Sequence, residues 1–542
     1  MRLLSIALCA ALLALPGCKK ADPNSIEDQI GILKANNKST KEKERACENL
    51  RKIGKKEAVP GLIEALKIVP TRLKGEVAQV LGDLKDPAAI PALTEAMDLG
   101  VGSGTDKMTL DANEANKYIA RALGDTGTKD AVKPLVQLLQ KTRDNYVRIE
   151  TMAALGKLKD PGAVDALSDI ATDEKLETLI NKKAIMALTQ INDAKALPVY
   201  LKMSFAERKG VSFYPESSFG VFMLGEAAKD RLLALIKGED KEIMEWAKGR
   251  EILVPAIYAK SAQMECDLQD KRSIEPLMKL LKFDDENPMY RLAVRMNAAD
   301  ALGRMRAKEA APAIAAMLTE EEANTRGAYM RSLVQIGDKG SLPKMVDCGR
   351  QGSWSAREFC GLGLALLGTA NEIKAFDGYI KDEPKLFKKE CEEGIYGDVD
   401  CAKEEKANIE NRTKVLTGYK KALETIAACQ DNKCFEQALN SADPIVRERA
   451  AYELGRRMAA ESLPALFATI KKPVDDKVDL NPRFAAICAV DWIASGDPAG
   501  MKAAKAEVNA LEALVAAEKE KTMTMRIAEE VKRLAVKLER AQ

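Results

Sequence analysis

The sequence predicts an all-α protein, an α-solenoid (superhelix) of stacked helix pairs, and three observations predict it. One phrase recurs with small changes: "VLGDLKDPAAIPAL" (80–93), "ALGDTGTKDAVKPL" (122–135), "ALGKLKDPGAVDAL" (154–167), "ALGRMRAKEAAPAI" (301–314) and "ELGRRMAAESLPAL" (453–466). The copies keep step: Leu123 to Leu155 is 32 residues and Leu302 to Leu333 is 31, a period that holds two helices and no strand. Composition agrees, with 46% hydrophobic but only 5% aromatic residues over 542 positions, as stacked helices rich in Ala and Leu require. A single helix pair cannot bury its apolar face, so neighbours must stack; the repetition makes length and a continuous curved surface.

The chain opens "MRLLSIALCAALLALPGCKK". Arg2 gives a short basic start, and Leu3 to Leu15 form an apolar run too short for a comfortable membrane span. "LPGC" (15–18) resembles the lipobox of bacterial lipoproteins. The resemblance implies cleavage before Cys18 and a diacylglycerol on its sulfur, leaving residues 1–17 as a signal peptide. Lys19 stands where an Asp would retain the protein at the inner membrane, so the same resemblance implies the outer membrane of a Gram-negative envelope, facing the periplasm. Residues 18–39 then hold a polar tether and a first helix.

Residues 40–384 read as an N-terminal repeat array. Between Val147 and Asp173, Ile149, Met152, Ala153, Leu155 and Gly156 fall at helical spacing and predict a helix to about Leu158. Asp160 suits an N-cap and Pro161 the first helical position, where no N–H is needed. A second helix follows with Val164, Leu167 and Ile170 on one face. The same Asp-Pro start is expected at Asp86-Pro87, Asp443-Pro444 and Asp497-Pro498. A further proline (Pro60, Pro91, Pro134, Pro198, Pro312, Pro343, Pro464) is expected in the first turn of each second helix, since in a helix interior it would cost about 3 kcal/mol.

The phrase resembles HEAT repeats, in particular the short HEAT-like kind of the phycobilin lyases. Divergent copies at 50–62, 187–200, 223–235 and 332–345 carry the resemblance over most of residues 40–518. It implies that second helices line the concave side. The positions expected to be exposed there are Glu95, Asp98, Lys133, Gln137, Gln140, Asp165 and Asp169, whose mixed charge suits a protein or peptide partner better than a polyanion.

Three stretches leave the rhythm. "LGVGSGTDKMTLDAN" (99–113) is expected to be a loop, lacking the Lys-Ser/Thr of a phosphate loop and following no strand. "VSFYPESSFGVFML" (211–224) concentrates aromatics, expected to pack between neighbouring repeats. Residues 381–410 read as a charged connection before a long helix at about 403–428, dividing two arms. Residues 385–518 are then C-terminal repeats with a disulfide-bearing connection, and 519–542 a capping helix with Ile527, Val531, Leu534 and Leu538 on one stripe and a single neighbour.

Of the 11 cysteines, six fall in close pairs: Cys348/Cys360, Cys391/Cys401 and Cys429/Cys434. An exported location permits them as disulfides. Crossed pairing of Cys391 with Cys429 or Cys434 stays open, as does a four-thiolate zinc site of Cys391, Cys401, Cys429 and Cys434, although C-x9-C and C-x4-C are not tight knuckles. Cys47, Cys266 and Cys488 lie in helical patterns, as buried thiols.

The chain has no histidine. Imidazole bases, Ser-His-Asp and Cys-His constellations and His-ligated zinc are thereby excluded. A net charge of +2 gives no basic footprint for nucleic acid. The reading that results is a membrane-anchored HEAT-repeat scaffold of the bacterial envelope that binds proteins or peptides, not an enzyme, with no cofactor, metal or catalytic residue expected. Its rivals are a non-catalytic structural envelope lipoprotein and an enzyme or enzyme subunit in the manner of bilin lyases.

Overall fold

The computed structural model describes residues 21–319, 323–396, 401–475, 477–496 and 525–540, with positions 507, 510–511 and 513–514. The signal and lipidation motif (1–18), Lys19 and the pair Asp497-Pro498 lie outside the described residues. The fold is an all-α solenoid. Among the described residues one antiparallel pair of two-residue strands, Glu207–Arg208 and Val211–Ser212, interrupts the helices. No helix there is long and apolar enough to cross a membrane. The chain forms two compact units, Met1–Leu224 and Gly225–Gln542. The boundary predicted at 384/385 falls inside the second unit, within the helix Ile373–Glu392.

In unit 1 a helix at Ile26–Lys34, capped by Ser25, precedes the helix pairs. The first helices are Thr40–Ile53, Thr71–Leu84, Lys107–Asp125, Asn145–Leu158 and Thr178–Ile191; the second are Val59–Ile68, Ile90–Ala96, Val132–Lys141, Val164–Thr172 and Leu197–Phe205. All seven predicted prolines sit in the first turn of a second helix.

The Asp-Pro pair acts differently from expectation. After the helix ending at Leu158, Lys159 takes a left-handed φ of 52°. The Asp160 carboxylate then accepts the Gly162 N–H at 2.8 Å and opens a 3-10 turn, Pro161–Ala163. Only at Val164 does the second helix begin. The same device recurs at Lys85–Asp86 and Asn192–Asp193. Asp443-Pro444, by contrast, opens a first helix, Pro444–Arg456. In each case the Asp carboxylate accepts the N–H two residues on, a local turn that fixes the entry of the chain.

The glycine of the phrase has a packing cause. A Cβ on Gly124 would lie 2.7 Å from the Ala154 Cβ of the next first helix, and one on Gly455 would lie 2.7 Å from the Ala489 Cβ. Adjacent first helices therefore meet backbone to backbone, and Leu123 and Leu155 beside those contacts are wholly buried. Burying one such side chain contributes about 1.5–3 kcal/mol.

Two departures correct the expectations. The 99–113 stretch is a loop only as far as Asp106, whose carboxylate caps the helix Lys107–Asp125 at the Thr109 N–H. The 381–410 stretch is largely helical, shared between Ile373–Glu392 and Cys401–Ala427. In 211–224, Phe213, Phe219 and Phe222 are buried.

In unit 2 the first helices Val254–Leu268, Pro288–Arg304, Ala323–Ile336 and Trp354–Leu367 stack in order, and the long helix Cys401–Ala427 joins them to Pro444–Arg456 and Leu480–Gly496. The late helices then return to the early ones. The Trp492 indole N–H donates to the Arg304 carbonyl at 3.1 Å, and Arg449 donates to the carbonyls of Ala365 and Gly368. The helix Met525–Arg540 buries Ile527, Val531, Leu534 and Leu538. It has more than the one neighbour expected of a cap: Arg533 pairs with Asp267 at 2.8 Å and Lys537 with Asp491 at 2.8 Å.

Candidate functional site

The seven residues expected on the second-helix face are all exposed. Lys133, Gln137 and Gln140 form a stripe at i, i+4 and i+7 on Val132–Lys141, opposite buried Val132, Leu135, Leu138 and Leu139. Asp165 and Asp169 do the same on Val164–Thr172. Glu95 stands 3.8 Å from Lys67 of the preceding second helix. Asp98 lies just beyond its helix, where its carboxylate takes the Gly100 N–H at 3.0 Å.

Both helix layers of unit 1 carry ion pairs across repeats, the second layer through Lys67 and Glu95, but the stripe on Val132–Lys141 and Val164–Thr172 takes no part in them. First helices are joined across repeats by ion pairs: Arg51 with Asp83 at 2.8 Å, Arg121 with Glu150 at 2.7 Å, Lys182 with Glu216 at 2.9 Å, and Lys157 with Asp125. The side chains of Lys133, Gln137, Gln140, Asp165 and Asp169 make no hydrogen bond or ion pair with any described residue. They form a continuous polar stripe over consecutive repeats with its hydrogen-bonding capacity unspent.

The structure brings the cysteines together as three local pairs, Cys348–Cys360, Cys391–Cys401 and Cys429–Cys434, with Cα separations of 5.8, 6.0 and 5.4 Å. Cys47 and Cys488 are buried and Cys266 is half-buried. Burial pushes the Cys47 thiol up to about 12, which makes it a poor nucleophile at neutral pH.

One recurring position was missed in the sequence. Seven residues before the leucine in most copies stand Asn116, Arg148 and Asn181 in unit 1, and Arg295, Arg326, Arg357 and Arg447 in unit 2. Each donates to a carbonyl at the end of a repeat: Asn116 to Asp98, Arg148 to Arg143, Asn181 to Ile170 and Asp173, Arg295 to Phe283, Arg326 to Gln351, Arg357 to Gly352 and Arg447 to Ser441. Aligning the copies on their leucines would have exposed the position.

In unit 2 this ladder feeds a buried ionic cluster beside the Cys391–Cys401 pair. Arg357 and Arg412 share Glu383 and Glu390: Arg357 reaches Glu383 at 2.9 Å and also pairs with Glu390, while Arg412 reaches both carboxylates at 2.8 Å. The Tyr396 hydroxyl donates to Glu390, and Arg412 lies over the Phe387 ring at 4.7 Å. Burial would raise the Glu390 carboxyl, but hydrogen bonds from Tyr396, Arg357 and Arg412 hold it below the usual range. Two cations balance two anions, so the cluster is a structural knot.

Comparison with known proteins follows this geometry. The HEAT repeats family model matches residues 31–103, 109–181 and 274–360. A deoxyhypusine hydroxylase of Gibberella zeae is 35% identical over 98 residues, 18% of this chain and 26% of that protein. Phycocyanobilin lyase subunit alpha of Nostoc sp. is 36% identical over 94 residues, 17% of this chain and 33% of that protein. The matches thus span about a quarter to a third of the curated relatives. Among solved structures, the complex of CpcE and CpcF of phycocyanin lyase from Nostoc sp. is similar with a TM-score of 0.24 at 20% identity, covering 40% of this chain and 84% of that one. Importin beta is similar with a TM-score of 0.39 at 10% identity, covering 92% and 70%. The relatives matched in sequence are an enzyme and a subunit of one, which overturns the expectation that the chain is not an enzyme. HEAT repeats are thus matched in both units, where the recurring phrase and the paired helices also lie.

Proposed function

We propose that the chain is an interaction scaffold that binds a protein or peptide along the second-helix face of unit 1. The observation that carries this reading is that Lys133, Gln137, Gln140, Asp165 and Asp169 stand exposed on two consecutive second helices and pair with no described residue. A polar stripe of mixed sign offers hydrogen bonds to an extended or helical segment and steers by charge pattern more than by net charge. Because each repeat contributes a share, affinity is spread over modules. We further propose that a lipid on Cys18 anchors this scaffold to the envelope membrane, supported by "LPGC" after a short apolar run. A second reading, an enzyme or enzyme subunit, is favoured by the matches to deoxyhypusine hydroxylase and to a phycocyanobilin lyase subunit.

Affinity capture from solubilised membranes tests the scaffold. The double variant Lys133→Ala with Gln137→Ala weakens capture of a stoichiometric partner without changing helicity, because exposed substitutions shift stability by no more than about 0.5 kcal/mol. If second-helix variants leave capture unchanged and first-helix variants abolish it, the face is wrongly assigned. Cys18→Ser removes acyl labelling and membrane association; labelled acyl chains persisting on that variant reject the anchor.

A further inference from the structure

Four helices of unit 2, Ala323–Ile336, Trp354–Leu367, Pro444–Arg456 and Leu480–Gly496, surround a cavity of 140 Å³. Most of its wall is apolar, with Met330, Val334, Leu362 and Leu366 beside the rings of Phe359 and Phe484. One acid is set into that wall. Glu448 is 8% exposed, and its carboxylate makes no hydrogen bond or ion pair with any described residue.

The charged and titratable groups around it do not compensate it. From Ala323–Ile336 comes Arg331, which is half-exposed and lies 3.6 Å from Asp300. From Trp354–Leu367 comes Glu358, which accepts a hydrogen bond from Tyr419 of the long helix at 3.2 Å. Glu448's own helix adds Tyr452, and Leu480–Gly496 adds the neutral Asn481. Burial pushes the Glu448 carboxyl up to about 8, with Arg331 drawing it partly back. By contrast, Arg447 has Asp479, and Arg357 and Arg412 have Glu383 and Glu390. A lone buried carboxyl is costly and calls for an explanation.

The chemistry of the cavity narrows the guest. A neutral hydrocarbon leaves the carboxyl unsatisfied, and an anion is repelled by its ionised form. A hard metal ion needs about six oxygen ligands where one carboxylate is present. A carboxylate set among the apolar side chains and rings of this wall suits an organic ammonium, which can donate to the carboxylate while its alkyl part stays among hydrocarbon. An apolar cavity of about 150 Å³ accepts a guest of about benzene size. We propose that this cavity binds a small alkylammonium, its nitrogen on Glu448 and its alkyl part among Met330, Leu362 and Leu366.

Calorimetric titration of the full chain with isopentylammonium, and with isopentanol as its neutral isostere, tests this. The amine is expected to bind about tenfold or more tighter than the alcohol, since it adds a charge-assisted hydrogen bond. An ammonium selects the ionised carboxyl, so at pH 7 binding should release close to one proton, seen as a heat that varies with buffer ionisation enthalpy. Glu448→Gln should remove both the preference and the proton release. Leu362→Trp, which keeps Glu448 and fills the cavity, should abolish binding. Equal affinity for amine and alcohol, unchanged amine binding in Glu448→Gln, or no binding of the amine to the unaltered chain would each overturn the proposal.

Discussion

Glu448 also makes a prediction about stability that needs no ligand. Its carboxyl is raised from 4.5 to about 8 in the folded chain. A carboxyl with a raised folded pKa keeps its proton natively while the unfolded chain has lost it, so stability falls as pH rises from about 4.5 to about 8. Each pKa unit corresponds to about 1.36 kcal/mol, so the full difference is about 5 kcal/mol, and about 3 kcal/mol of it has accrued by pH 7. These are upper figures, because water admitted to the cavity would recover part of the loss. Glu448→Gln keeps the shape and cannot ionise. Its stability relative to the parent should therefore climb by about 1.4 kcal/mol per pH unit between pH 5 and 8. Urea denaturation followed by tryptophan fluorescence is the assay, and it is selective: Trp246, Trp354 and Trp492 all lie in unit 2. A variant-minus-parent difference that stays the same at pH 5 and pH 8 refutes the reasoning.

The other predictions concern packing and covalent structure. Glu383→Gln leaves Arg357 and Arg412 sharing Glu390 alone and should cost about 3–5 kcal/mol in urea unfolding of unit 2; a loss under 1 kcal/mol would mean the cluster is hydrated. Gly124→Val forces apart first helices that now touch and should cost about 1–3 kcal/mol, read as a lower midpoint in far-ultraviolet melting; an unchanged midpoint contradicts the close approach. Non-reducing peptide mapping of exported protein should find links 348–360, 391–401 and 429–434, with Cys47 unalkylated until the chain unfolds; six free thiols, or Cys391 joined to Cys429 or Cys434, would reject that pairing.

What was legible in the sequence was what is local and repeated. The leucine of each copy set the repeat period, the prolines located second helices, and exposure of Lys133 or Asp165 followed from their place on those helices. The 3-10 turn was not legible, because Asp-Pro caps a 3-10 turn and an α-helix with the same two residues, as Asp160 and Asp443 show. The 381–410 stretch was misread because carboxylates in it point inward: Glu383 and Glu390 are neutralised in the interior by Arg357 and Arg412 and interrupt the apolar periodicity that marks a helix. Glu448 looked no different from Glu453 five residues on. What buries it includes helices from Ala323–Ile336 and Leu480–Gly496, which no local pattern brings together.

The return of unit 2 upon itself limits how such a chain can vary. Trp492 meets Arg304 across 188 residues and Arg533 meets Asp267 across 266. Where modules touch only their neighbours, a pair can be added or lost with little effect elsewhere. Inserting a helix pair between Asp267 and Trp492 would instead carry the late helices past their partners, stranding Asp267 without Arg533 and the Arg304 carbonyl without Trp492. The number of repeats in unit 2 is therefore set by closure, as the number of staves is set in a barrel. Lineages that lengthen this protein should do so by duplicating pairs within unit 1.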